Sequence, residues 1–263
     1  MKLRDIFENN TTSSDEETQN IKAVTKSGAA IQYIKDPSPA VQLAAVKKSG
    51  AAIRYIIYKG IVPSPEVQLA AVKKSGGTIK YIKNPSLELQ LAAVKQDGYA
   101  IGCIKNPSIE VQLTAIKRYG HAIRNIKNPS IEVQLAAVKQ DAYVISFIKN
   151  PSPEVQLAAV KQRGLVIDYI ENPSLEVQLA AVNQNGWAIQ YIKNPSPEVE
   201  LAAVKGYGRA IQFIENPSHE LITLPSVIKI KDLYDSLIKN IYPNNNLLIK
   251  KWIRYGDTMR EDL

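Results

Sequence analysis

The chain of 263 residues holds one cysteine, two histidines, three phenylalanines and two methionines, and these scarcities remove whole classes of chemistry. A single thiol, Cys103, supports neither a disulfide framework nor a multi-cysteine metal site. It falls in a row where other positions carry Tyr33, Tyr55 or Tyr169, which predicts a small packed side chain. The histidines, His121 and His219, lie far apart in sequence and lack metal-ligand spacing. Apart from the pair Gly76-Gly77, glycines lie singly, mostly at the repeat turns, and neither a phosphate loop nor a dinucleotide fingerprint is present. No set of acids, bases and nucleophiles converges in the sequence. The expectation is therefore a protein with no catalytic residues, no metal and no cofactor, and not an enzyme. No apolar run approaches the roughly 20 residues of a membrane span. The start, "MKLRDIFENNTTSSDEE", lacks the apolar stretch of a secretory signal. These absences predict an intracellular, cytoplasmic protein without a membrane role. The formal net charge of +8 favours acidic partners in general.

What the chain has instead is repetition. Pro-Ser begins at Pro37, Pro63, Pro85, Pro107, Pro129, Pro151, Pro173, Pro195 and Pro217, a spacing of 22 residues after a first step of 26. A short-period array has no single core, and its length counts repeats. In the unit from Pro151 to Asn172, Ser152 is an N-cap and Pro153 occupies the first helical position, where its missing donor costs nothing. Glu154 and Lys161 match the two ends of the helix dipole. Helix A is predicted from about Pro153 to Gln162, with Val155, Leu157, Ala159 and Val160 packed and Glu154, Ala158 and Lys161 on one stripe. Gly164 is read as the permissive residue of a tight turn. An α-helical helix B then runs from about Leu165 to Glu171 and ends ahead of Pro173.

Two sets of side chains follow from this frame. The structural set comprises the caps Ser130, Ser152 and Ser174 and a ladder of glutamines, Gln112, Gln134, Gln156 and Gln178, expected to bond backbone between repeats because buried amides need partners. The second set lies on the outer face of helix B, where the copies differ most. It includes Tyr99, His121, Arg124, Tyr143, Trp187 and Arg209, residue types that dominate binding energy at protein interfaces.

The array is expected over 14–220, after an N-terminal segment 1–13, with its four-residue insertion near 57–62. Ser14-Asp15-Glu16-Glu17 reads as a capping box before a degenerate first unit. Pro225 breaks the last helix A. Residues 221–263, with Val227, Ile230, Leu233, Leu237 and Ile241 at helical spacing, are expected to form a C-terminal helical cap. The fold class is all-α, an α-solenoid of about nine two-helix units.

The unit "IKNPSxEVQLAAVKQxGxAIxYI" resembles a short repeat known as a domain of unknown function, frequent in large DNA viruses and also found in phages and bacteria. The match covers roughly Ile31 to Asn216, apart from the insertion after Ile56 and the loss of Asn before Pro63. The resemblance implies a helical repeat protein of viral type, located in the host cytoplasm, and carries no catalytic residues. The expected function is a non-enzymatic protein-binding or scaffold module, as a viral protein directed at a host protein. The alternative is a basic helical-repeat protein that binds nucleic acid, with tyrosines between cations.

Overall fold

The computed structural model describes residues 13–228, whose regular elements are all helices, with no strand among them. The expected N-terminal segment and the cap beyond Ile228, including Ile230, Leu233, Leu237 and Ile241, lie outside the described residues. The chain divides into two compact units, Met1–Ala158 and Ala159–Leu263. Both are built from the same repeat, numbered here from 1 to 9.

In the first unit the A helices of repeats 1 to 6 are Ser13–Lys26, Pro39–Lys48, Pro65–Lys74, Leu87–Gln96, Ile109–Arg118 and Ile131–Gln140. Each packs on the next, which is the stacking of a helical solenoid. The A helix of repeat 7, Pro153–Gln162, contains the division between the units. Leu175–Gln184 and Pro197–Gly206 are the A helices of repeats 8 and 9, and they pack together in the second unit.

The start of helix A follows from sequence in every full repeat. Serine closes the first turn by accepting from the amide three residues on, as in Val133 N–H to Ser130 Oγ, Val155 to Ser152 and Val177 to Ser174, each at 3.4 Å. Val155, Ala159 and Val160 are fully buried, whereas Leu157 and its counterparts are half-buried. The packing expected for all four therefore holds for Val155, Ala159 and Val160 and only in part for Leu157. On the leucine flank, the A helices of repeats 3 and 4 leave a groove lined by Leu69, Leu91 and Ala92. In repeat 1 the helix already includes Ser13 and Ser14, so Ser14 is not its N-cap. Glu17 instead accepts a hydrogen bond from Ser38 Oγ at the head of repeat 2.

Helix B is a six-residue 3₁₀ helix, not an α-helix, in all repeats but the second; Gly164–Tyr169 and Gly186–Tyr191 are examples. Its bonds close over three residues, as from Val166 N–H to Arg163 O at 3.2 Å. The cause lies in the spacing of the buried positions. Gly164, Ile167 and Ile170 recur every three residues and fall on one stripe only when there are three residues per turn. In repeat 2 the insertion adds enough chain to continue Gly50–Ala52 into a true α-helix, Ile53–Tyr58, closed by Gly60 at φ 78°. After helix B the chain extends and then reverses at an asparagine in the left-handed region, φ 49–53° at Asn84, Asn106, Asn128, Asn150, Asn172 and Asn194.

Gly164 is not in that left-handed region, and its role is proximity. A Cβ there would lie 2.3 Å from Ala181 O in the next repeat's A helix. The amide of Gly164 donates to Gln184 Oε1 at 2.6 Å, so helix B is joined edge-on to the helix that follows. At the far end, the helix His219–Ile222 stops after four residues, and a new turn starts at Pro225 and buries Val227.

Candidate functional site

The glutamine ladder closes each repeat on itself. Gln112, Gln134, Gln156 and Gln178 each donate from Nε2 to the carbonyl of the proline five residues earlier, at 2.8–2.9 Å. The expected bonds between repeats are made elsewhere, by the glutamine that ends helix A: Gln96 accepts from Gly76 N–H, and Gln140 donates to Ile116 O. The mid-helix ladder therefore holds the Pro-Ser corner in place, and that corner sets where helix B ends and helix A begins. In repeat 9 the ladder position is Glu200, whose carboxyl burial pushes above the ordinary carboxylate value.

With that frame fixed, the second residue of helix B projects outward. In repeats 4, 6 and 8 this residue is Tyr99, Tyr143 or Trp187. In each case a side chain two positions earlier caps its backbone amide: Asp97 at 2.9 Å, Asp141 at 2.9 Å and Asn185 at 3.0 Å. The three rings are 39%, 38% and 42% exposed. This alternation every second repeat is visible in the sequence as an Asx residue two before an aromatic.

Repeats 4 to 6 bring four of the expected binding residues into one neighbourhood of the first unit. Tyr99 stacks on Tyr119 with ring centroids 5.5 Å apart and planes at 12°. Arg124 covers the Tyr99 ring at 5.2 Å, and Arg118 lies at the same distance from Tyr119. His121 meets the Phe147 ring at 5.7 Å, and its Nε2 lies 3.7 Å from Asp141 Oδ2. Asp141 in turn caps Tyr143. Two sets of side chains, Tyr99–Tyr119–Arg124–Arg118 and His121–Phe147–Asp141–Tyr143, both with members in repeat 5, thus extend over three repeats. Tyr119 belongs to the first set without having been singled out from sequence; the sign was its standing where other repeats carry Ser49, Ser75 or Asp97.

Trp187 and Arg209 belong to the second unit. Trp187 meets Phe213 at 5.9 Å, and Arg209 is exposed. Cys103 is exposed, contrary to the packed position expected for it. It and Asn125 interrupt the aromatic row, and a groove opens there, lined by Gly102, Lys105, Asn106, Asn125 and Lys127. A Cβ on Gly102 would stand 3.3 Å from Asn125 Cβ, so the glycine permits this close approach.

Among the described residues, no group of three or more His, Cys, Asp or Glu side chains is placed to hold a metal ion. None of the described helices is long and apolar enough to cross a membrane. The arrangement offers rings, guanidinium groups and a basic groove on an ordered scaffold. No protein-family model, no curated protein and no solved structure matches the chain.

Proposed function

We propose that the chain is a non-enzymatic recognition or scaffold protein that binds a protein partner through the outer face of its B helices. The observation that carries this reading is the pair of contact groups Tyr99–Tyr119–Arg124 and His121–Phe147 with the capped Tyr143, which both have members in repeat 5 and extend over repeats 4 to 6. Aromatic and arginine side chains are the usual anchors of protein interfaces. Here Asp97 and Asp141 cap the backbone amides of Tyr99 and Tyr143, which lowers the entropic cost of ordering those two rings on binding. The neighbouring groove with Lys105 and Lys127 suits an acidic side chain on the partner. The resemblance to a repeat frequent in large DNA viruses supports a host protein as that partner.

Affinity capture with nuclease present, followed by mass spectrometry, tests the reading when the native chain is compared with Tyr99→Ala/Arg124→Ala. Removing two anchors is expected to weaken partner binding by about 30-fold or more, equivalent to about 2 kcal/mol. Glu154→Ala/Lys161→Ala, two exposed positions of helix A, is the control and retains the partner. Loss with the control variant and retention with the first would refute the choice of face.

A further inference from the structure

The net charge is unevenly distributed along the chain. Between Gly28 and Lys83 there are nine lysines and arginines against two acids, Asp36 and Glu66, so this stretch carries +7 of the total +8. Part of the cause is Ala40, which replaces the first-turn glutamate that repeats 3 to 9 carry. None of these nine cations forms an ion pair with a described residue. The same stretch contains the one insertion in the array, and array insertions commonly lie on the binding face. Stacking does not require it, because the later repeats return to the next A helix without it.

The insertion also changes what the surface presents. Val62, Tyr33 and Tyr58 are 87%, 83% and 74% exposed, above every other large hydrophobic side chain described. Helix Ile53–Tyr58, which carries Tyr55 and Tyr58, packs between Gly28–Tyr33 and Gly76–Tyr81, so the tyrosines of three repeats share one face. Two of these rings are occupied. Arg54 lies over Tyr55 at 4.5 Å and Lys80 over Tyr81 at 5.1 Å. Tyr58 touches Tyr81 in an edge-to-face contact at 6.5 Å, and no described ring or cation covers Tyr33.

We propose that repeats 1 to 3 form a platform for single-stranded nucleic acid, with unpaired bases stacking on Tyr33 and Tyr58 and phosphates meeting Arg54, Lys35, Lys59 and Lys80. Open aromatic faces amid cations that have no acidic partner among the described residues, Arg54 donating to the Tyr55 hydroxyl, are the combination by which sequence-tolerant single-strand binders work. A duplex would use the charge and leave the rings idle. This platform is separate from the cluster of repeats 4 to 6, and its failure would leave the protein-binding reading intact.

Fluorescence anisotropy on the full chain tests it, using labelled 20-mer oligo(dT) and oligo(U), a duplex of equal length, and poly-glutamate as competitor. Single strands of either sugar bind more tightly than duplex. Their log affinity falls with log salt at a slope of roughly −3 if the four cations each release one phosphate's counterion. Tyr33→Ala and Tyr58→Ala each weaken binding about fivefold or more, while Tyr33→Phe and Tyr58→Phe keep the ring and the affinity. Both rings project into solvent, so circular dichroism of the variants matches the native chain. The proposal is overturned if the single strands do not bind, if duplex or poly-glutamate competes as well as oligo(dT), or if Tyr99→Ala/Arg124→Ala abolishes binding while the Tyr33 and Tyr58 variants retain it.

Discussion

Replacing Glu200 by glutamine is predicted to stabilise the protein, and to do so in a pH-dependent way. In seven repeats the amide at this position donates to the carbonyl of the proline five residues earlier: Gln42, Gln68, Gln90, Gln112, Gln134, Gln156 and Gln178. An ionised carboxylate has no hydrogen to offer Pro195 O, and burial holds the Glu200 carboxyl above its ordinary value of 4.5. Restoring the bond is worth about 0.5–1.5 kcal/mol net, or about 1–5 °C in Tm for a chain of this size class. The sign of the pH dependence follows from the raised value. Protonation favours the folded form, so the Glu200 contribution is fully present below the unfolded value and is lost as pH rises through the folded one. The protonated acid can also donate as glutamine does. Thermal unfolding of both proteins should therefore show the advantage of Glu200→Gln at pH 7 and its shrinkage toward pH 4. An advantage of the same size at both pH values, or none at pH 7, would refute the assignment.

Gly164→Ala should cost about 1–3 kcal/mol because the new methyl group would overlap Ala181 O. Gly77→Ala, whose added Cβ meets nothing within 4 Å, should be neutral or stabilise by up to about 1 kcal/mol. Urea titration of the pair decides it, and equal effects would remove the close-approach argument. Asn128→Ala places an ordinary residue at φ 49° and should cost about 1–2 kcal/mol, while Asn128→Gly restores most of that loss in the same assay. Ala159→Leu, at a fully buried site, should cost about 1–3 kcal/mol by overpacking, whereas Asp168→Ala on the exposed face should stay within about 0.5 kcal/mol.

Helix A was legible in sequence because its signals are local and redundant. The Ser cap, the proline at the first position of several copies and the terminal lysine place Pro153–Gln162 where the structure has it. Helix B was harder to read, because over six residues the three-residue recurrence of Gly164, Ile167 and Ile170 competes with an α-helical assignment of the same apolar positions. The role of Gly164 was illegible for a different reason. A requirement for empty space is set by Ala181 O in the following repeat, and one repeat read alone does not contain it. The glutamines show the same limit in reverse. Their partner, the proline five residues back, lies within the repeat, yet periodic recurrence suggested bonds that cross between repeats. At the proposed binding face the variable residues could be named, but the pairing of Tyr99 with Tyr119 depends on how one helix B meets the end of the next helix A.

The bonds that join one repeat to the next have a further consequence for how the chain reaches its fold. Gly76 to Gln96, Gln140 to Ile116 and Gly164 to Gln184 span 20 to 24 residues, and the Gln–Pro bonds span five. Little loop-closure entropy is therefore spent on any single contact. Such topologies assemble quickly, one unit templating the next. An array built this way can also gain or lose a 22-residue copy by duplication or deletion in its gene without creating any new kind of contact.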